Sequence, residues 1–312
     1  MIYLVIQGAC GNQFFQYAFA RAMQEKTGEK LVIDFKCVRD NPDLWAQSDE
    51  VMTYFNTKYE EGSTNNLIQS KIIDFLQYIE CKFNLNYFTS KRYMFLKLTS
   101  KLLNPLGVYY FDAAYYKFPI SKTKNKVIRG FFESPKYFVD IDDLIREELK
   151  PKYPLLEDNQ ELYSKILESE SVCVSIKRQD IENSEIKDVY NYDITYFYNA
   201  VEYLKKLKPK IILFIFSDDI EWCRNNLKFE EETFFESGTD PIWEKVRLMS
   251  ACKNFIIHNS TFSWWVQHLS CNKDKVVIVP PKWMQRNDQP IDIYEDNWIY
   301  LDKNGKKIEK HY

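Results

Sequence analysis

The chain is poor in glycine, with 8 in 312 residues, and poorer in histidine, with 3. His258, His268 and His311 are scattered, and none of the seven cysteines forms a C-x-x-C pair, so no clustered zinc-ligand set is present. An odd number of cysteines without disulfide-type spacing reads as reduced, mostly buried thiols of a cytosolic protein. No run reaches the ~18 apolar residues of a membrane span. The opening Met1–Ile6 is apolar but has no basic lead and is too short for a signal core, so it reads as a first strand. A net charge of -3 excludes an overall nucleic-acid profile. The chain has no G-x-G-x-x-G, which removes the usual dinucleotide fingerprint. Internal repeats and low-complexity tracts are absent.

What is present points to a folded enzyme-like chain. It is 45% hydrophobic and 16% aromatic, which argues against disorder. The length favours two domains of about 150 residues each. The expected split is 1–160 and 161–312, near Pro151 and Pro154. The first half starts with one strand-helix-strand unit. Ile2–Ile6 is the strand, Gly8–Gln13 a loop, and Phe15–Lys26 a helix that Gly28 caps. Lys30–Phe35 is the second strand. Residues 65–106 look mostly helical. Between Lys82 and Arg129 there are ten Lys and Arg against one acid, Asp112. That run reads as a solvated helical face or as a docking face for anionic lipid or an anionic acceptor. Lys126–Phe131 reads as a further strand.

The second half alternates regularly. Strands are expected at Val172–Ile176, Ile211–Phe216, Phe255–Ile257 and Val276–Val279. Helices are expected at Asp193–Leu207, Asp219–Leu227, Glu244–Cys252 and Phe262–Leu269. Near-continuous apolar strands between helices imply a parallel, doubly wound sheet.

Four blocks follow predicted strands, and in open α/β sheets those ends converge on one crevice. Gly8-Ala9-Cys10-Gly11-Asn12-Gln13 offers a glycine turn and the amides of Asn12 and Gln13. Lys177-Arg178-Gln179-Asp180 places two cations at a strand end, where they can neutralise a diphosphate or pair with Asp180. Ser217-Asp218-Asp219 can accept hydrogen bonds from a base edge or ribose, or cap the next helix. Asn259-Ser260-Thr261-Phe262-Ser263 brings hydroxyls to a helix N-terminus, a favourable place for an anion. Asn259-Ser260-Thr261 also fits the glycosylation pattern, which a cytosolic chain would not use. Trp264 and Trp265 read as core. Asp140-Ile141-Asp142 matches a metal-holding D-x-D, but it sits where acids ordinarily begin a helix.

On these residues the chain resembles bacterial α-1,2-fucosyltransferases of glycosyltransferase family 11. The matching pieces are Gly11-Asn12-Gln13-Phe14-Phe15-Gln16-Tyr17-Ala18, Lys177-Arg178-Gln179-Asp180, Phe216-Ser217-Asp218-Asp219-Ile220-Glu221-Trp222, and Leu248-Met249-Ser250 with Asn259–Trp265. The resemblance implies a GT-B fold, two Rossmann-like domains facing across a cleft. It implies inverting transfer of fucose from GDP-β-L-fucose to the 2-hydroxyl of a terminal galactose, without metal or other cofactor. Lys177 and Arg178 would hold the diphosphate, with Asp180 as acidic partner; nearness to this cation block, not the resemblance, makes Asp180 the candidate base and Glu185 the second. Ser217, Asp218 and Asp219 would meet the guanine or ribose. Asn259, Ser260, Thr261 and Phe262 would bind phosphates and shape the fucose pocket. Asn12 and Gln13 would face the cleft from the first domain. The expected setting is the cytoplasm, with peripheral contact at the inner membrane face and a glycan or lipid-linked acceptor used in surface polysaccharide synthesis.

The chain departs from the family's His-x-Arg-Arg-Gly-Asp at Ser175, Lys177 and Gln179. Lys177 keeps charge but loses the planar fork of arginine. The competing expectations are therefore a transferase with a different donor or linkage, a non-catalytic nucleotide- or glycan-binding descendant, and a metal-dependent enzyme using Asp140 and Asp142.

Overall fold

The computed structural model describes residues 1–40, 49–87, 89–112, 114–178, 193–283 and 288–309. The chain divides into two units. One is Met1–Lys152 with Asn287–Tyr294, and the other is Tyr153–Arg286 with Glu295–Tyr312. Each is built on its own all-parallel sheet flanked by helices, the α/β plan of GT-B proteins.

The first sheet runs β3-β2-β1-β5-β4, with β1 Ile2–Val5, β2 Leu31–Asp34, β3 Glu60–Glu61, β4 Val108–Tyr110 and β5 Lys126–Arg129. The helix after β1 begins at Cys10 and runs to Thr27, five residues earlier than the periodicity predicts. Gly11, Asn12 and Gln13 are therefore helical, and the tight turn belongs to Gly8, at φ 76. The amides explain the early start. Gln13 Nε2 donates to the Gly8 and Asp49 carbonyls at 2.9 and 2.7 Å. Gln16 exchanges two hydrogen bonds with the Gln7 backbone. Gly28 ends the helix in the left-handed region, its N–H donating to Gln24 O.

The helices Ile68–Lys82 and Ser90–Leu103 pack on this sheet through a buried ion cluster. Arg92 pairs with Glu80 at 3.2 Å and Asp112 at 2.6 Å, and its side chain is 1% exposed. Lys126 is also buried and pairs with Glu29 at 2.6 Å. Of the ten cations between Lys82 and Arg129, three thus pair with acids rather than stand on a solvated or docking face. Arg92 and Lys126 turn inward because acids distant in sequence meet them, and Arg129 pairs with Asp74. The other seven of the ten cations are exposed. Asp140 pairs with Lys26 on the surface, and Asp142 pairs with Arg146 within the helix Asp142–Glu148.

The second sheet runs β11-β10-β9-β6-β7-β8. The strands are β6 Glu170–Ile176, β7 Ile211–Ser217, β8 Thr233–Phe235, β9 Asn254–Ile256, β10 Val277–Val279 and β11 Ile299–Tyr300. Its core joins Val172, Val174, Leu213, Ile215 and Ile256 to Phe197, Val201 and Leu204 of the helix Ile194–Leu207. Asp193 caps that helix by accepting from Thr195 N. Trp264 and Trp265 are fully buried, as expected of core. From β6 the chain moves through β7 to β8 on one side. It then returns to β9 on the other side of β6, so the strand order reverses between β6 and β9.

Removing one partner of a buried ion cluster leaves unpaired charge, which costs about 3–5 kcal/mol. Arg92→Ala is expected to lower unfolding stability by that order in urea denaturation, while Lys97→Ala, an exposed neighbour on the same helix, changes it little. Equal stability of the two variants would contradict the role given to Arg92.

Candidate functional site

Register brings three of the four strand-end blocks side by side. In the β6–β7 pair Ile176 lies opposite Ser217, and in the β6–β9 pair Val174 lies opposite Ile256. The segments leaving these strands are Lys177-Arg178, Asp218-Asp219 and Ile257–Ser260. They meet where the strand order reverses, the place at which open α/β sheets bind ligands.

Arg178 is held from several directions. Its backbone N–H donates to Asp218 Oδ1 at 2.7 Å, and its Nε donates to Asp219 Oδ2 at 3.1 Å. Its guanidinium lies 3.5 Å from the centre of the Trp222 ring. Asp219 also caps the helix Ile220–Asn226 by accepting from Trp222 N. The acid that pairs with Arg178 among the described residues is therefore Asp219. Asp180, expected as its partner, lies outside the described residues, as do Gln179 and Glu185. Capping falls to Asp219, while Ser217 accepts from Asp219 N and donates its own N–H to Glu236. Burial pushes the Glu236 carboxyl up, and its ion pair with Lys245 opposes that. Lys177 is half-buried at the end of β6.

The last block is equally constrained. Ser175 Oγ and Ser263 Oγ hydrogen-bond at 2.7 Å in a buried contact. The serine that replaces the family histidine thus ties β6 to the helix Thr261–Leu269 across the reversal point. That helix has Ser260 at its N-cap, but no side chain caps it. A helix N-terminus of this kind directs backbone amides toward an acceptor. Asn259 is 4% exposed, and among the described residues its carboxamide oxygen meets no hydrogen-bond donor. A buried oxygen without a donor is able to accept from a group that arrives with a ligand. Ser260, Thr261 and Phe262 are half-buried beside it.

In the first unit the expected ligand residues separate. Asn12 is half-buried in the first helical turn, with its amide 2.8 Å from where a side chain on Gly8 would sit. Gln13 is fully buried and braces the turn with its amide nitrogen. Its amide oxygen, like that of Asn259, meets no donor among the described residues.

One group escaped the sequence reading. Glu133 follows β5 on a turn where Gly130 has φ 141 and Phe132 has φ 51. A side chain at Gly130 would meet the Phe111 carbonyl. Burial, with the nearby Asp112 charge, pushes the Glu133 carboxyl up to about 8. Strained backbone at a strand end and a raised carboxyl are both common at functional sites. The sequence signal was only Gly130 ending a strand.

The sequence model of glycosyl transferase family 11 matches residues 1–302. Over 96% of its length the chain is 27% identical to the whole of the O-antigen biosynthesis glycosyltransferase WbnK of Escherichia coli. It is 31% identical to an alpha-1,2-colitosyltransferase of the same organism, over 56% of this chain and 62% of that one. It is 26% identical to a galactoside 2-alpha-L-fucosyltransferase of Caenorhabditis elegans, over 63% and 60%. Among solved structures it resembles the fucosyltransferase NodZ from Bradyrhizobium. The TM-score is 0.52 at 13% identity, over 85% of this chain and 92% of that one, which is a likeness of fold.

The raised Glu133 carboxyl gives a signed pH dependence. Its pKa rises from an ordinary 4.5 to about 8 on folding, so the native state holds a proton that the unfolded chain releases. Stability is lost as pH climbs from the first value through the second, and below the first there is no effect. Glu133→Gln is expected to gain about 1–3 kcal/mol over wild type at pH above about 8, and little at pH below about 5, in urea denaturation. A difference of the same size at both pH values would remove Glu133 ionisation as its cause.

Proposed function

Because the chain belongs to glycosyl transferase family 11, we propose that it is an inverting transferase that moves L-fucose from GDP-β-L-fucose to the 2-hydroxyl of a terminal galactose. The observation that carries this reading is the meeting, at one sheet reversal, of the buried Asn259 oxygen, the start of the helix Thr261–Leu269 and the cations Lys177 and Arg178. A nucleoside diphosphate fits such a set. The family supports glycosyl transfer, and the α-1,2-fucosyl- and colitosyltransferase relatives support the sugar class and the linkage. The O-antigen relative supports a surface-polysaccharide or lipid-linked acceptor. All seven cysteines are free, which supports the cytoplasmic compartment.

In this reading the fucose–phosphate bond breaks while the acceptor oxygen approaches from the opposite face. Negative charge then grows on the departing diphosphate. Lys177, Arg178 and the amides at residues 260–263 stabilise it, with Ser260 and Thr261 hydroxyls donating. Asp219 and Trp222 fix the plane of Arg178, so that it does not reorganise as the charge develops. Ser217, Asp218 and Asp219 border the nucleoside, and Phe262 the sugar. Asp180 takes the acceptor proton, with Glu185 in reserve. No metal takes part.

A second donor is favoured by one finding, the identity to a colitosyltransferase. Acceptance of another GDP-linked deoxysugar in place of GDP-fucose would move the reading to that donor.

The test is GDP release from GDP-fucose in EDTA, with and without a terminal β-galactoside such as lactose. Release stimulated by the acceptor is expected, and Arg178→Ala is expected to lower it by about 10²-fold or more with the fold intact. Tight GDP binding without turnover of any GDP-sugar would replace a transferase with a binding protein. A near-normal rate in Arg178→Ala would take Arg178 out of the mechanism.

A further inference from the structure

Two helices of the first unit carry outward faces of an unusual kind. On Ile68–Lys82 the exposed positions Ile68, Lys71, Phe75, Tyr78 and Lys82 recur at spacings of three and four, which is one helical stripe. Ile68 and Phe75 are 68% and 60% exposed. On Ser90–Leu103 the exposed set is Lys91, Met94, Lys97, Leu98, Lys101 and Leu102, again one face, with Leu98 and Leu102 at 60% and 72%. Single exposed leucines need no explanation, but repeated apolar residues on the solvent side of two adjacent elements do.

The charges on these faces are mostly positive, with Asp74 the one exposed acid of the two helices. Ser90–Leu103 contains no acid. On Ile68–Lys82, Glu80 is buried against Arg92 and Asp74 pairs with Arg129. The buried faces are fixed by the Arg92 cluster with Glu80 and Asp112, so neither helix can roll to hide its apolar stripe without breaking that cluster. Lysines interleaved with Leu, Met, Phe and Tyr suit a surface that is anionic outside and apolar just beneath. The long lysine stems let the ammonium groups stay at headgroup level while the apolar side chains enter. Pairing with a second copy through the same face would set lysine against lysine.

We propose that the outward faces of Ile68–Lys82 and Ser90–Leu103 form a docking surface for an anionic lipid bilayer. The face binds by shallow insertion of Leu98, Leu102 and Phe75 and by attraction of the flanking lysines to lipid headgroups. No helix among the described residues is long and apolar enough to cross a membrane, so this contact is peripheral. The proposal is independent of which sugar is moved.

The experiment is co-sedimentation of the full chain with vesicles of phosphatidylcholine alone or mixed with phosphatidylglycerol, at low and high salt. Wild type is expected to pellet with the anionic vesicles and to be released in part by salt. Lys97→Glu with Lys101→Glu, and Leu98→Glu with Leu102→Glu, are each expected to lower the bound fraction's partition coefficient by about tenfold or more. Acceptor-stimulated GDP release on a soluble galactoside serves as the fold control and is expected to stay unchanged. Failure of wild type to pellet with anionic vesicles at low salt would overturn the proposal. So would unchanged binding of the leucine variant, which would reduce the contact to adsorption by charge. Lipid-free dimerisation abolished by Leu98→Glu would also overturn it and assign the face to a second copy.

Discussion

Parallel pairing of β6 with both β7 and β9 is the constraint on which the second unit depends. β6 is buried along its length and has no edge, so its only way out is the carboxyl end. There the chain turns away on one side to β7 and later returns on the other side to β9. The two crossovers cannot cover the gap between them, which is why a crevice opens at that point. Lys177, Arg178, Asp218, Asp219 and Asn259 are brought together by register rather than by nearness in sequence. The Ser175–Ser263 hydrogen bond pins the helix Thr261–Leu269 to β6 from the far side of the gap.

The electrostatics of this crevice are preset. Arg178 is oriented by a carboxylate and an aromatic face, both supplied by the segment after β7. A cation held in place stabilises developing charge better than one that must be gathered from solvent. The same segment caps its own helix with Asp219. One residue thus links helix formation to the aim of Arg178, and this coupling suits Asp at a position where capping alone would accept Ser or Thr.

Much of the fold was legible because the strands and helices announce themselves by period. The apolar runs at Val172–Ile176 and Ile211–Phe216 become β6 and β7, with boundaries moved by one or two residues. The turn at Asn259–Ser263 was readable from its hydroxyls ahead of an aromatic helix. Other features depend on partners distant in the chain. Composition counts Arg92 and Lys126 as surface charge, while the acids that bury them sit at Glu80, Asp112 and Glu29. The amide nitrogens of Gln13 and Gln16 brace the loop after β1 through backbone carbonyls that the sequence does not show as neighbours. The short strands β8 and β11, and the return of Asn287–Tyr294 to the first unit, have too few residues for a periodic signal. That Asp219 pairs with Arg178 is a matter of register between β6 and β7, which local spacing does not encode.

The central claim is that the reversal between β6 and β9 is a nucleoside-diphosphate site. A crystal structure of the protein with GDP tests it most directly. The account predicts the diphosphate within hydrogen-bond distance of the amides at the start of Thr261–Leu269 and beside Lys177 and Arg178, with the Asn259 oxygen partnered in the complex. GDP seated elsewhere, with Asn259 still unpaired, would contradict it.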